Sequence, residues 1–121
     1  MASRQILVPG PDHPVMVTPS DAHVVVRAGG KVIADTRRAL ELCEASYPPV
    51  FYILREDADM ALLERTSHAS YCPYKGEASY FSIVGGAENA VWSYEAPYDA
   101  VAEIREHLAF YPDRVEIEVS R

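Results

Sequence analysis

Cysteine, basic residues and long apolar runs are all scarce in this sequence, and each shortage excludes something. Only two cysteines, Cys43 and Cys72, occur in 121 residues. A chain of this length buries roughly two thirds of its unfolded surface, so it does not depend on disulfides or zinc to fold. Residues 1–20 hold no apolar run long enough for a secretory signal, and no stretch is long enough to span a bilayer. The expected compartment is therefore the cytoplasm, with both thiols reduced. There is no C-x-x-C or H-x-x-x-H spacing, and the four histidines are scattered, so no metal site is expected. Eleven basic side chains face 18 acidic ones, for a formal charge of -7. That balance argues against binding a nucleic-acid backbone, which calls for a basic face. No motif points to a cofactor.

What is present is globular composition, 49% apolar and 24% charged, expected to form one domain over residues 1–121. Pro9, Pro11 and Pro14 make residues 1–14 an irregular arm. The β-branched run His23–Arg27 and the run Lys31–Ala34 read as a hairpin across Gly29-Gly30. Asp35 or Thr36 can cap a helix running to about Ala45, stopped ahead of Pro48-Pro49. On that helix Ala39, Leu42 and Cys43 share an apolar face, and Glu41 can pair with Arg37 or Arg38. Val50–Leu54 reads as a strand, and Asp57 or Asp59 as the cap of a short turn carrying Met60, Leu62 and Leu63. Pro97 suits the start of a helix with Val101, Ile104 and Leu108 as its stripe. Val115–Val119 alternates as a half-buried strand. The expected class is α+β, mostly antiparallel sheet with two or three short helices.

Residues 66–94 read as a three-stranded meander, and most of the chemistry lies there. A four-residue loop at Pro73-Tyr74-Lys75-Gly76 pairs Cys72 with Glu77, Ser70 with Ser79 and His68 with Phe81. A loop of even length at Gly85-Gly86 then places Trp92 and Tyr94 with them. One face would carry His68, Ser70, Cys72, Glu77, Ser79, Phe81, Trp92 and Tyr94, with Lys75 at its edge. Aromatic faces beside convergent polar groups are characteristic of small-ligand pockets. Cys72 is the candidate nucleophile, yet Lys75 beside it and Glu77 opposite act on it in opposing senses. His68 lies about 13 Å along the strand, beyond reach as its base. Glu56, Asp57 and Asp59 form a loose acidic cluster that reads as solvated or capping.

Several segments together carry a family resemblance. These are Arg55-Glu56-Asp57, then His68 leading into Cys72-Pro73-Tyr74-Lys75-Gly76-Glu77-Ala78-Ser79-Tyr80, then Trp92-Ser93-Tyr94-Glu95 before Pro97, and His107-Leu108-Ala109-Phe110-Tyr111. From about Pro14 to Val119 the chain resembles the family called domain of unknown function 427. Tyr71 stands where the family often has a second histidine, and Glu77 where aspartate is common. The resemblance implies a small, mostly antiparallel β-domain of the tent-like type. It also brings a nucleotidyltransferase-style label, and such an enzyme wants a Gly-Ser turn followed by Asp-x-Asp. Asp57-Ala58-Asp59 has the spacing, but no Gly-Ser precedes it.

The expected function is binding of a small polar or anionic ligand on the meander. Arg55 and Lys75 supply positive charge, Glu77 and Tyr94 hydrogen bonds, and Trp92 and Tyr80 stacking surface, with His68 and Ser79 alongside. An enzyme would instead use Cys72, or a Lys75/Glu77 proton-transfer pair. An interaction module would expose the aromatics as a flat patch.

Overall fold

The first hairpin forms where β-branched residues flank Gly29 and Gly30, whose φ angles of +57° and +80° only glycine adopts cheaply. In the computed structural model, which describes residues 4–121, that hairpin joins β2 (His23–Ala28) to β3 (Lys31–Thr36). The remaining strands are β1 (Val15–Pro19), β4 (Leu40–Glu44), β5 (Val50–Tyr52), β6 (Leu63–Cys72), β7 (Gly76–Ile83), β8 (Val91–Tyr94), β9 (Ala109–Phe110) and β10 (Glu116–Ser120). They make three antiparallel sheets, ordered β1-β4-β5, β10-β2-β3 and β6-β7-β8-β9. The first three residues of the expected irregular arm lie outside the described residues. From Arg4 onward the arm is fastened to the β6–β7 hairpin. The Leu7 amide donates to the Pro73 carbonyl (3.0 Å), and the Tyr71 hydroxyl donates to the Gln5 carbonyl (2.6 Å).

The expected helices do not form, and α+β gives way to antiparallel sheet carrying short 3₁₀ turns. Residues 40–44, read as helix, are strand β4, paired with β1 on one side and β5 on the other. The period there is two rather than 3.6: Leu40, Leu42 and Glu44 point one way, Glu41 and Cys43 the other. Cys43 consequently sits opposite Met16 as an exposed residue, not in the core. Arg37 and Arg38 do not pair with Glu41. Arg38 instead holds Asp57 (2.9 Å) and Glu56 (3.3 Å), and Glu41 meets Arg121 (3.2 Å). After Pro97 only a 3₁₀ turn, Asp99–Ile104, is made; its φ at Val101 is non-helical, and Glu106 at φ +62° ends it. Burial there matches the expected stripe, since Val101, Ile104 and Leu108 are fully buried. Leu108 is reached in extended backbone, bridging Ile53 through both amides (2.7 and 2.8 Å).

Two apolar clusters fill the spaces between the sheets. One gathers β2, β3 and β10 side chains against Ile53, Phe81, Val91 and Leu108. The other packs Leu42 and Tyr52 against Ala78, Tyr80, Tyr94, Val101 and Ile104. β5 contributes to both, with Ile53 beside it in the first and Tyr52 in the second.

Candidate functional site

The β6–β7 turn is one residue tighter than the sequence pattern implies. The Lys75 amide closes a turn onto the Cys72 carbonyl (3.2 Å), and Gly76, at φ +111°, pairs directly with Cys72. Three residues, Pro73 to Lys75, therefore connect the strands. Gly76 is also confined: an added Cβ would meet the Ala96 carbonyl oxygen at 3.5 Å. A one-residue shift turns a strand over. β7 therefore presents Ala78 and Tyr80, not Glu77, Ser79 and Phe81, to the face that carries Ser70 and Cys72. The longer connection from Ile83 to Val91 is odd in length too, pairing Phe81 with Val91 and Tyr80 with Trp92. The two shifts cancel, so Trp92 and Tyr94 share the face of His68, Ser70 and Cys72, while β7 alone is inverted.

That face meets β4 and β5 across a cavity of about 400 Å³, lined by Glu44, Tyr52, Ser70, Cys72, Lys75, Tyr80, Trp92, Tyr94 and Tyr111. Lys75, only 7% exposed, reaches in from the turn and forms an ion pair with Glu44 at the end of β4. Its Nζ also lies 3.7 Å from the Cys72 Sγ. The second Glu44 oxygen bonds His13 Nε2 (2.7 Å), whose ring stacks on Tyr74 at 4.1 Å. Burial pushes the Glu44 carboxyl up, but the bonds from Lys75 and His13 outweigh it and hold the group below its usual range.

The aromatic walls are wired together. Trp92 Nε1 donates to the Tyr52 hydroxyl (3.2 Å), Ser70 Oγ bonds the Tyr80 hydroxyl (2.8 Å), and Tyr80 reaches the Tyr111 hydroxyl (3.3 Å). Burial raises the phenols of Tyr52 and Tyr94 well above their ordinary value, and burial with the Tyr80 bond pushes Tyr111 up to about 12. At neutral pH these hydroxyls are protonated and act as hydrogen-bond donors rather than bases. Every fully buried side-chain nitrogen or oxygen among the described residues has a partner. The Tyr94 hydroxyl has no side-chain partner among them, so it reaches open space, and the space its residue lines is this cavity.

The proposed site residues divide between the two faces. Cys72, Lys75, Tyr80, Trp92 and Tyr94 line the cavity, and His68 packs edge-on against Tyr80 at 4.4 Å on the same face. Glu77 lies on the opposite face with Arg4 as its partner (2.9 Å), so the Lys75/Glu77 pair is not made; Glu44 takes that place. Arg55 and Ser79 are also on the opposite face, bound to Glu95 (3.1 and 2.9 Å). No Cys–His dyad forms. His13 bonds Glu44, His23 bonds Asp35, His68 packs on Tyr80, and His107 bonds the Arg105 carbonyl. Glu44, Tyr52 and Tyr111 went unrecognised in the sequence. The alternation Leu40-x-Leu42-x-Glu44, ending on a charge at the inward position, was the available signal.

A model for a family described as a domain of unknown function matches residues 16–121, nearly the whole chain. The chain belongs to the DUF427 family. No curated protein matches it. In this DUF427 chain the Asp-x-Asp spacing is occupied otherwise: Asp57 accepts from Thr36 (2.7 Å) and Arg38, while Asp59 caps a 3₁₀ turn by accepting from the Ala61 amide. Neither lines the cavity.

Behind the cavity, the opposite face of this DUF427 sheet is locked by one carboxylate. Glu95 accepts from both terminal nitrogens of Arg65, from Ser79 and from Arg55, whose Nε also donates to the Glu106 carbonyl (2.7 Å). The Arg65 bonds above all hold the Glu95 carboxyl down, against the upward push of burial, to about 2 from 4.5. Its folded-state value lies below its unfolded value, so its stabilisation is complete above pH 4.5 and disappears as pH falls toward 2. Because the side chain is one third exposed, solvent screening reduces the effect to about 1–2 kcal/mol. Glu95→Gln should therefore lower the melting temperature at pH 7 and converge with wild type near pH 2. Thermal unfolding across that range checks it; a gap independent of pH would exclude this origin.

Proposed function

We propose that this protein binds a small polar ligand, uncharged or zwitterionic, in the cavity between β4–β5 and the meander face. The observation that carries this reading is the Tyr94 hydroxyl, a donor on a buried ring that opens on the cavity without a partner among the described residues. Such a group favours occupancy by something that accepts a hydrogen bond. Charge narrows the class. Lys75 is neutralised by Glu44, and Arg55 faces Glu95 elsewhere, so the cavity keeps no uncompensated cation for a simple anion. Trp92 and Tyr111, with rings 4.5 Å apart, supply the stacking wall. The interaction-module reading is less favoured, because Tyr52, Tyr80 and Tyr94 are buried around a concavity rather than spread over a flat patch.

Trp92 is the chain's one tryptophan, so its indole N–H gives a single reporter resonance at the cavity wall. Screening a library of small polar fragments by ¹H–¹⁵N correlation should yield compounds that move this resonance. Tyr94→Phe should weaken them about two- to tenfold, the worth of one neutral hydrogen bond. If no fragment moves the Trp92 indole, or Tyr94→Phe leaves all affinities unchanged, the reading fails.

A further inference from the structure

The polar cavity is half of a larger arrangement. Beside it lies a second cavity of about 450 Å³ whose walls carry no charged side chain. Val24 and Val26 of β2, Phe51 of β5, Phe110 of β9, and Ile117 and Val119 of β10 form its apolar lining. It is thus set where all three sheets converge, a concave place rather than a flat face. Tyr47, Pro48, Val50 and Trp92 line both cavities. The indole is oriented accordingly, with its only polar atom given to Tyr52 of the polar cavity. Tyr47, 63% exposed, stands at the common rim.

We infer that the ligand is an amphiphile, its polar head in the Lys75–Tyr94 cavity and its apolar tail in the adjoining one. This rests on the function proposed above and adds the chemical class. The two compartments make opposite demands. One offers phenolic donors, a hydroxyl and an ion pair, whereas the other, apart from Tyr47 at the common rim, is walled by hydrocarbon and ring faces that hold water poorly. A purely polar molecule leaves the second compartment empty, and a purely apolar one leaves the Tyr94 hydroxyl unpaired. A molecule with both characters, bent around the Tyr47–Val50 segment, satisfies each wall with its own kind. Both volumes fall in the range of small-molecule pockets.

A homologous series separates tail from head. The probes are 1,2-butanediol, 1,2-hexanediol and 1,2-octanediol, an uncharged two-hydroxyl head with a lengthening chain, titrated below micelle-forming concentrations. Affinity should rise about fourfold per added methylene. The longer members should shift the methyl resonances of Val26 and Ile117 as well as the Trp92 indole. Val119→Phe, on the 38% exposed rim of β10, should abolish the chain-length gain. Tyr94→Phe should weaken every member by the same factor. A flat series with the Trp92 shifts retained overturns the amphiphile and leaves the polar-ligand reading standing. Tail-methyl shifts with no response at Trp92 and no effect of Tyr94→Phe overturn it as well, as binding of grease alone. If no diol moves any of these resonances while polar fragments do, the amphiphile falls by itself; if polar fragments also fail, both readings fall.

Discussion

Replacing Glu44 by glutamine should destabilise the protein by about 3 kcal/mol or more, because it leaves the Lys75 ammonium buried without its counter-charge. Lys75 is 7% exposed, and among the described residues its Nζ has only Glu44 and the Cys72 sulfur as partners. Lys75→Met should cost less, since the orphaned carboxylate keeps His13. The double replacement Glu44→Gln/Lys75→Met should recover most of the loss, coming within about 1.5 kcal/mol of wild type, because it leaves no buried charge without its partner. Urea unfolding of the four proteins closes the cycle. A loss below about 1 kcal/mol for Glu44→Gln alone would show that the pair is solvated and that the site is wetter than its geometry implies.

Leu108→Ala should be nearly as damaging, at about 2–5 kcal/mol. Leu108 is wholly buried in the first apolar cluster, and its backbone bridges Ile53, next to Tyr52 in the second. A void there loosens the seam on which the cavity's inner wall rests. The fully buried side chain cannot be replaced by solvent without exposing apolar surface, so relaxation is limited. Val119→Ala, at an exposed edge, should by contrast fall within about 0.5 kcal/mol of wild type. Chemical denaturation compares the two directly, and equal effects would contradict the assignment of Leu108 to the seam.

Much of the sheet was legible from residues alone, and the misreadings have identifiable causes. Gly29-Gly30 between β-branched runs marked the β2–β3 hairpin, and Glu116–Ser120 alternates as a strand should. The meander was found because Pro73 and Gly76 punctuate it. Its turn is one residue shorter than the pattern implies, since Gly76 can end the loop or open the strand, and only its pairing with Cys72 decides. The longer count puts Glu77 and Ser79 on the cavity face, where the observed register puts Ala78 and Tyr80. The residues of β4 fit a helix because Ala39, Leu42 and Cys43 match a 3.6 period, while their strand character comes from β1 and β5, neighbours that a local window does not contain. Losing β4 also hid Glu44, the counter-ion on which the site depends. Tyr52 and Tyr111 lie far in sequence from the meander and reach the site through tertiary packing.

The position of β10 has a kinetic consequence. β2 lies between β3, its immediate successor, and β10, the last strand to be made. During synthesis β2 therefore waits with one edge unsatisfied until residues 116–120 have been produced. Non-local pairing of this kind is slow to form and leaves strand edges available for wrong partners. Val24, Val26 and Ile117 meet only at that step, so the apolar cavity cannot exist before β10 is in place.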